Sequence, residues 1–204
     1  MPALLTPPTT ATAWPRPVPE FHGQSWTLDD FNDMPNPERF EGRRLFLLGG
    51  EIWEQGRMNP PHAAHLDLAL EVVRDSFPAD FRARCQLGMS LSDGTVVLPD
   101  ILVVRGTART FLNSHPKTAD LIVEVSDTTL FFDTTTKAEL YATAGVPDYW
   151  VLDVNARRLL VFRDPQPVAG NGFSYRSSHT FADTDTVAPL AAPTQTVRVA
   201  DLLP

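Results

Sequence analysis

Cysteine is almost missing from this chain. Cys85 is the single cysteine in 204 residues, which excludes an intrachain disulfide and fits a reducing compartment, the cytoplasm. It reads as a small buried hydrophobe on a strand rather than a nucleophile. Long apolar runs are missing too: no stretch approaches the ~18 residues that span a bilayer, so the chain reads as soluble, with no membrane partner. Positive charge is scarce, with 17 Lys and Arg against 25 Asp and Glu, a formal net charge of −8. Proteins that hold nucleic acid by bulk electrostatics carry the opposite imbalance. Met1 to Phe21 does not read as a secretory signal: it lacks a basic segment followed by an apolar one and is broken by Pro2, Pro7, Pro8, Pro15, Pro17 and Pro19. Residues 1–24 read as a Pro-rich disordered or draped tail, and residues 25–204 as one domain.

With 43% hydrophobic residues, that domain has enough apolar surface for a substantial core. Trp26 to Phe31 has the pattern of a short capped helix, with Thr27 as N-cap. Arg44 to Leu48 and Glu51 to Glu54 are β-type runs joined at Gly49-Gly50, a pair that tolerates a tight hairpin. After Pro60-Pro61, Leu66, Ala69, Leu70, Val73 and Phe77 recur at helical spacing, which predicts a helix from about His62 to Phe77. Three strands come next, Arg84 to Leu91, Val96 to Val104 and Leu121 to Val125, the last two apolar on both faces as in a covered sheet. Asp133 to Thr136 offer N-caps to a helix running through Lys137, Leu140, Tyr141 and Ala144. Two paired strands, Tyr149 to Val154 and Arg158 to Phe162, complete the pattern, with shorter strand signals at Phe173 to Arg176 and Val197 to Leu203. The order predicts an α/β fold with a central mixed β-sheet flanked by helices and an N-terminal β-hairpin.

Within the two most apolar strands stand two acids, Asp100 after Pro99 and Glu124 between Val123 and Val125. Buried carboxylates are costly unless a positive charge holds them. Alternation places Asp100 with Leu102 and Val104, and Glu124 with Ile122 and Ser126, so the acids converge if the strands are neighbours. Hard cations such as Mg²⁺ or Mn²⁺ take carboxylate and carbonyl oxygens plus waters, and Asp100, Glu124 and the Val125 carbonyl make an incomplete cage of that kind. Lys137 supplies a further positive charge. Singly, each has an ordinary reading: a turn cap for Asp100, an arginine pair for Glu124, an exposed position for Lys137. Together, in this order, they point to metal-assisted phosphodiester chemistry. His62 and His65, one helical turn apart, suggest zinc, but no matching pair of ligands is present further along the chain.

Residues from about Leu45 to Phe162 resemble the Uma-two family of restriction-endonuclease-like proteins, within the PD-(D/E)xK nuclease superfamily. The resemblance rests on Gly50-Glu51, Met58-Asn59-Pro60-Pro61 with His65, Pro99-Asp100, Val123-Glu124-Val125-Ser126, Asp133 with Lys137 and Tyr141, and Gly145 to Trp150. It implies a restriction-endonuclease-like core and a Mg²⁺- or Mn²⁺-dependent endonuclease acting on DNA, with Asp100, Glu124 and Val125 on the metal. The superfamily's usual lysine position, two residues beyond the acid, is Ser126 here; the resemblance points to Lys137 on the following helix as its replacement. Glu51 and His65 are supporting candidates, and an exposed hairpin position is an equal reading for Glu51. A homodimer is expected, since enzymes that cut both strands are commonly two-fold symmetric. Two rival readings stand beside this one. A non-catalytic binding module on the same fold would suit the acidic charge, and a glycosidic hydrolase would use the acid pair without a metal.

Overall fold

Arg16–Pro17 (β1) lies antiparallel against a hairpin made of Arg44–Leu48 (β2) and Glu51–Gln55 (β3). The protein is seen in a computed structural model that describes residues 15–34, 40–56, 58–170 and 172–204. Of the expected N-terminal tail, residues 1–14 lie outside the described residues. The stretch from Arg16 to Val18 is laid on the hairpin, with Val18 buried and its N–H donated to the Ile52 carbonyl at 2.8 Å. The hairpin turns at Gly49 and Gly50, whose φ of +59° and +80° lie in the left-handed region that a two-residue turn of this twist demands. A short helix, Leu28–Asn32 (α1), opens with a reciprocal cap between Thr27 and Asp30.

The long helix, Pro60–Asp75 (α2), starts at Asn59, whose side chain accepts the His62 N–H at 2.8 Å, and buries Leu66, Ala69 and Val73. Beyond it, two expected strands are each divided. Arg84 to Leu91 is split into Phe81–Cys85 (β4) and Met89–Ser92 (β5), because Gln86 adopts a left-handed φ of +53° and turns the chain. Val96 to Val104 is split into Thr95–Val97 (β6) and Ile101–Arg105 (β7). Pro99, with no N–H for a ladder, sits in the break where the chain passes from one sheet to the next. Asp100 therefore precedes its strand instead of lying within it.

The remaining strands are Leu121–Ser126 (β8), Asp148–Asp153 (β9), Arg158–Val168 (β10), Gly172–Ala182 (β11), Thr186–Val187 (β12) and Val197–Arg198 (β13). The smaller sheet has the order β1-β3-β2-β6-β5, and the larger β11-β10-β9-β8-β7-β4. Only β8 and β9 run parallel in the larger sheet, so it is mixed. Between them the chain crosses over through Leu130–Phe132 (α3), a π-helical turn at Asp133–Lys137, and Ala138–Thr143 (α4). β10 and β11 outlast β9 and form a ribbon, where Pro165 and Pro167 are tolerated because no third strand needs their missing N–H.

Helices cover both faces of the large sheet. Leu66, Ala69 and Val73 of α2 pack with Val103, Val123 and Trp150, while Ala138 and Tyr141 pack with Leu102, Ile122 and Tyr149 on the other side. The architecture is the expected α/β core, a central mixed sheet flanked by helices with an N-terminal hairpin. Among the described residues no helix is long and apolar enough to cross a membrane. A buried acid at the head of β9 has donors on both of its oxygens: Asp148 accepts from Arg163 Nε at 2.8 Å and Nη2 at 3.2 Å, from Trp150 Nε1 at 2.8 Å and from the Leu190 N–H at 2.9 Å.

Candidate active site

Antiparallel pairing of β7 with β8 sets Ile101 opposite Val123, which brings the preceding residue, Asp100, beside Glu124. The two acids then share backbone donors. The Asp100 N–H points to Glu124 Oε2 at 3.3 Å, and the Val125 N–H donates to Asp100 Oδ2 at 3.0 Å. Asp100 is 2% exposed and Glu124 0%. The convergence expected from the strand pattern follows from this register.

Lys137 reaches the pair from the crossover. Its Nζ stands 2.9 Å from Glu124 Oε2 and 2.9 Å from Asp133 Oδ1. Sequence pattern places Asp133 outside the helix as an N-cap; instead the helix begins at Leu130, and Asp133 lies within it, buried. Four residues apart on one helical stretch, Asp133 and Lys137 share a face and both turn inward. Thr129 Oγ1 donates to the other Asp133 oxygen at 2.5 Å. One turn further on, Tyr141 donates its hydroxyl to Glu124 Oε1 at 2.6 Å.

Asp100, Lys137, Tyr141, Asp133 and the backbone at Val125 line one pocket, together with His62 and Arg44. Phe46, Leu98, Phe132 and Leu140 give it an apolar wall. Glu124 lies behind it, in contact with Asp100, Lys137 and Tyr141. The two supporting candidates are elsewhere. Glu51 sits at the turn end of the hairpin, whereas Arg44 and Gln55, paired at the opposite end, border the pocket; four residue steps along the strand carry Glu51 about 13 Å from Gln55. The His65 ring is engaged with the Pro61 carbonyl at 2.7 Å and does not line the pocket. The histidine at the site is His62, whose Nε2 is 3.6 Å from Asp100 Oδ2. The readable signals for the missed residues were the four-residue spacing of Asp133, Lys137 and Tyr141 and the place of His62 in the first turn of α2.

Three buried carboxylates, Asp100, Glu124 and Asp133, face one lysine. Burial drives the Glu124 carboxyl up to about 8; Lys137 and the Tyr141 hydroxyl pull it down, while the charges of Asp100 and Asp133 push it further up. Burial also acts to raise Asp100, but His62, Lys137 and the Val125 N–H together outweigh it and hold that acid below its usual range. Burial opposes the Lys137 charge; the carboxylates of Asp133, Glu124 and Asp100 overcome it and raise the ammonium's pKa. His62 is raised chiefly by Asp100, against burial.

A hard divalent cation fits this donor set. Three buried carboxyl groups converge on one lysine, and the donors they offer are oxygens. Among the described residues no group of three or more His, Cys, Asp and Glu is arranged to hold a metal. Two carboxylates and a carbonyl match an ion such as Mg²⁺, which keeps waters and takes substrate oxygens for its other positions.

A family model described as "Putative restriction endonuclease", Uma2, matches residues 28–200. The crystal structure of a "putative nuclease belonging to DUF820" from Anabaena variabilis ATCC 29413 superposes with a TM-score of 0.66 at 19% identity, covering 86% of this chain and 96% of that one. It shares the fold. No curated protein matches the chain.

Proposed function

The chain belongs to the Uma2 family, and on that premise we propose that it is a metal-dependent endonuclease hydrolysing DNA phosphodiester bonds in the pocket at the head of β7. The observation that carries this reading is the excess of buried carboxylate around a single lysine, opening on a pocket. Asp100, Glu124 and the Val125 carbonyl would hold Mg²⁺ or Mn²⁺. Bound there, the ion would act as a Lewis acid toward a phosphoryl oxygen and make its water a nucleophile near neutral pH.

The protein's own groups do the positioning. Tyr141 fixes one oxygen of Glu124, and the Val125 N–H fixes one of Asp100. Asp133 holds Lys137 charged and aimed at Glu124, where its ammonium can donate to an oxygen that gains negative charge in the transition state. The helix-borne lysine thus takes the task that Ser126, buried and with no hydrogen-bond partner for its Oγ among the described residues, does not perform. The apolar wall from Phe46, Leu98 and Phe132 lowers the local dielectric and strengthens these interactions. A cytoplasmic homodimer belongs to the same reading, two sites being needed to cut both strands of a duplex.

Purified protein incubated with supercoiled plasmid DNA and Mg²⁺ or Mn²⁺ is expected to nick or linearise it, and Asp100→Ala to abolish this. Unchanged cutting by that variant would contradict the assignment. The net charge of −8 favours a second reading, a non-catalytic module; absence of Mg²⁺ or Mn²⁺ binding at millimolar concentration in calorimetry would support it.

A further inference from the structure

We propose that Arg44 is the phosphate-binding residue of this pocket, its guanidinium taking a non-bridging oxygen of the phosphodiester presented to Asp100 and Glu124. This role rests on the nuclease reading and gives the substrate's charge a named partner on the pocket wall.

Alternation along β2 sends Arg44, Phe46 and Leu48 to one side of the hairpin and Leu45 and Leu47 to the other. Arg44 and Phe46 border the pocket together. Arg44 Nη2 is buried and has no hydrogen-bond partner among the described residues. A buried guanidinium donor without an acceptor is rare and costly, and at a pocket it marks the place of an absent acceptor. Its sequence neighbour shows the ordinary alternative: Arg43 donates to Glu54 at 2.7 Å and to Glu20 at 3.4 Å. Arg84 also carries a buried unpartnered nitrogen, but its guanidinium lies 4.6 Å over the Phe111 ring and away from the pocket.

Arg44 is not spent on the acids across the pocket, since no carboxylate of the described residues forms an ion pair with it. Its charge is nonetheless felt there, for it opposes protonation of His62. An anionic substrate approaching three carboxylates needs a fixed cation on the facing wall, and Lys137 is already engaged by two acids. A planar guanidinium suits phosphate oxygens, which it can meet with two parallel N–H donors.

The test is fluorescence-anisotropy binding of a labelled DNA duplex, in EDTA, across a salt series, on wild type, Arg44→Ala and Arg44→Lys. Arg44→Ala is expected to weaken binding about tenfold at low salt, the loss of one charge-assisted contact. The slope of log affinity against log salt should fall by about 0.9, the value for one phosphate, and Arg44→Lys should restore the slope. Mn²⁺ affinity and thermal stability should stay as in wild type. Equal affinity and slope for wild type and Arg44→Ala would overturn the proposal, as would no DNA binding by wild type, or a loss that tracks reduced stability or Mn²⁺ affinity. A wild type that binds DNA with the Arg44-dependent slope yet cuts nothing with Mg²⁺ or Mn²⁺ would sink the nuclease reading and leave Arg44 standing. Cutting that persists while the slope ignores Arg44 would do the reverse.

Discussion

Asp148 at the head of β9 and Glu124 on neighbouring β8 are both 0% exposed, yet the protein treats them in opposite ways. Asp148 is closed in by donors: two nitrogens of Arg163, the Trp150 indole and the Leu190 N–H account for both of its oxygens. Arg163 in turn donates to the Ala188 carbonyl at 2.7 Å, which ties the β9–β10 pair to the C-terminal segment. Glu124 shares its one lysine with Asp133, lies against Asp100 and backs onto a pocket. Burial of a charged acid is thus offset locally in the first case and left partly uncompensated in the second. A fully balanced acid serves the fold; an underbalanced one beside a pocket is a place for a cation.

The widest separation between the two should come from removing Lys137 or Asp148. Asp148→Ala takes the carboxylate away from the half-buried Arg163 and leaves the Trp150 indole and the Leu190 N–H without their acceptor; it should cost about 3 kcal/mol of stability, read by chemical denaturation. Any activity lost should follow only the unfolded fraction. Lys137→Met should lower DNA cutting by about 10²–10³-fold, the scale for losing one donor to developing charge, while the protein remains folded enough to bind DNA. If Asp148→Ala stayed stable, or Lys137→Met cut normally, the division between the two acids would fail.

Glu124→Gln sharpens the comparison from the other side. The Glu124 carboxyl is raised in the folded state, from 4.5 to about 8. Its contribution to stability is therefore complete below about pH 4.5 and is lost as pH rises through about 8, because the folded state must then either keep the proton or bury the charge. In metal-free protein at pH 8, Glu124→Gln should raise the melting temperature by roughly 2–4 °C, the shift for about 1 kcal/mol in a domain of this size. Activity should vanish in the same variant. A lower melting temperature at pH 8, measured by differential scanning fluorimetry in EDTA, would contradict the charge balance described for the site.

The smallest effects should come from Glu51→Ala and His65→Ala. Both side chains lie outside the pocket lining, so each change should alter stability by no more than about 0.5 kcal/mol and cutting rates by less than about twofold.

Asp100, Glu124 and Lys137 could be picked out in the sequence because their cost or charge is visible against apolar neighbours. Strand periodicity puts Asp100 with Leu102 and Val104 and Glu124 with Ile122 and Ser126, and their convergence depends on the pairing of the two strands. Asp133 is obscured because polar residues ahead of a helix ordinarily cap it, and its four-residue spacing from Lys137 points inward only once the helix is known to begin earlier, at Leu130. His62 and His65 are equivalent in spacing, and only the docking of α2 at the sheet's end separates them. The breaks at Gln86 and Pro99 illustrate the same limit. Apolar continuity marks a buried strand, but the passage of that strand from one sheet to another is decided by long-range packing. Arg44 was invisible as a site residue, since its meaning lies in the absence of a partner.

The central claim, that the underbalanced acids hold a catalytic cation, is tested most directly by the crystal structure of the protein soaked in Mn²⁺. The account predicts an anomalous peak in the pocket, about 2.0–2.6 Å from carboxylate oxygens of both Asp100 and Glu124, with Lys137 still within hydrogen-bond reach of the site. A fully diffracting soak at millimolar Mn²⁺ with no peak there, or with the ion bound away from these two acids, would contradict it.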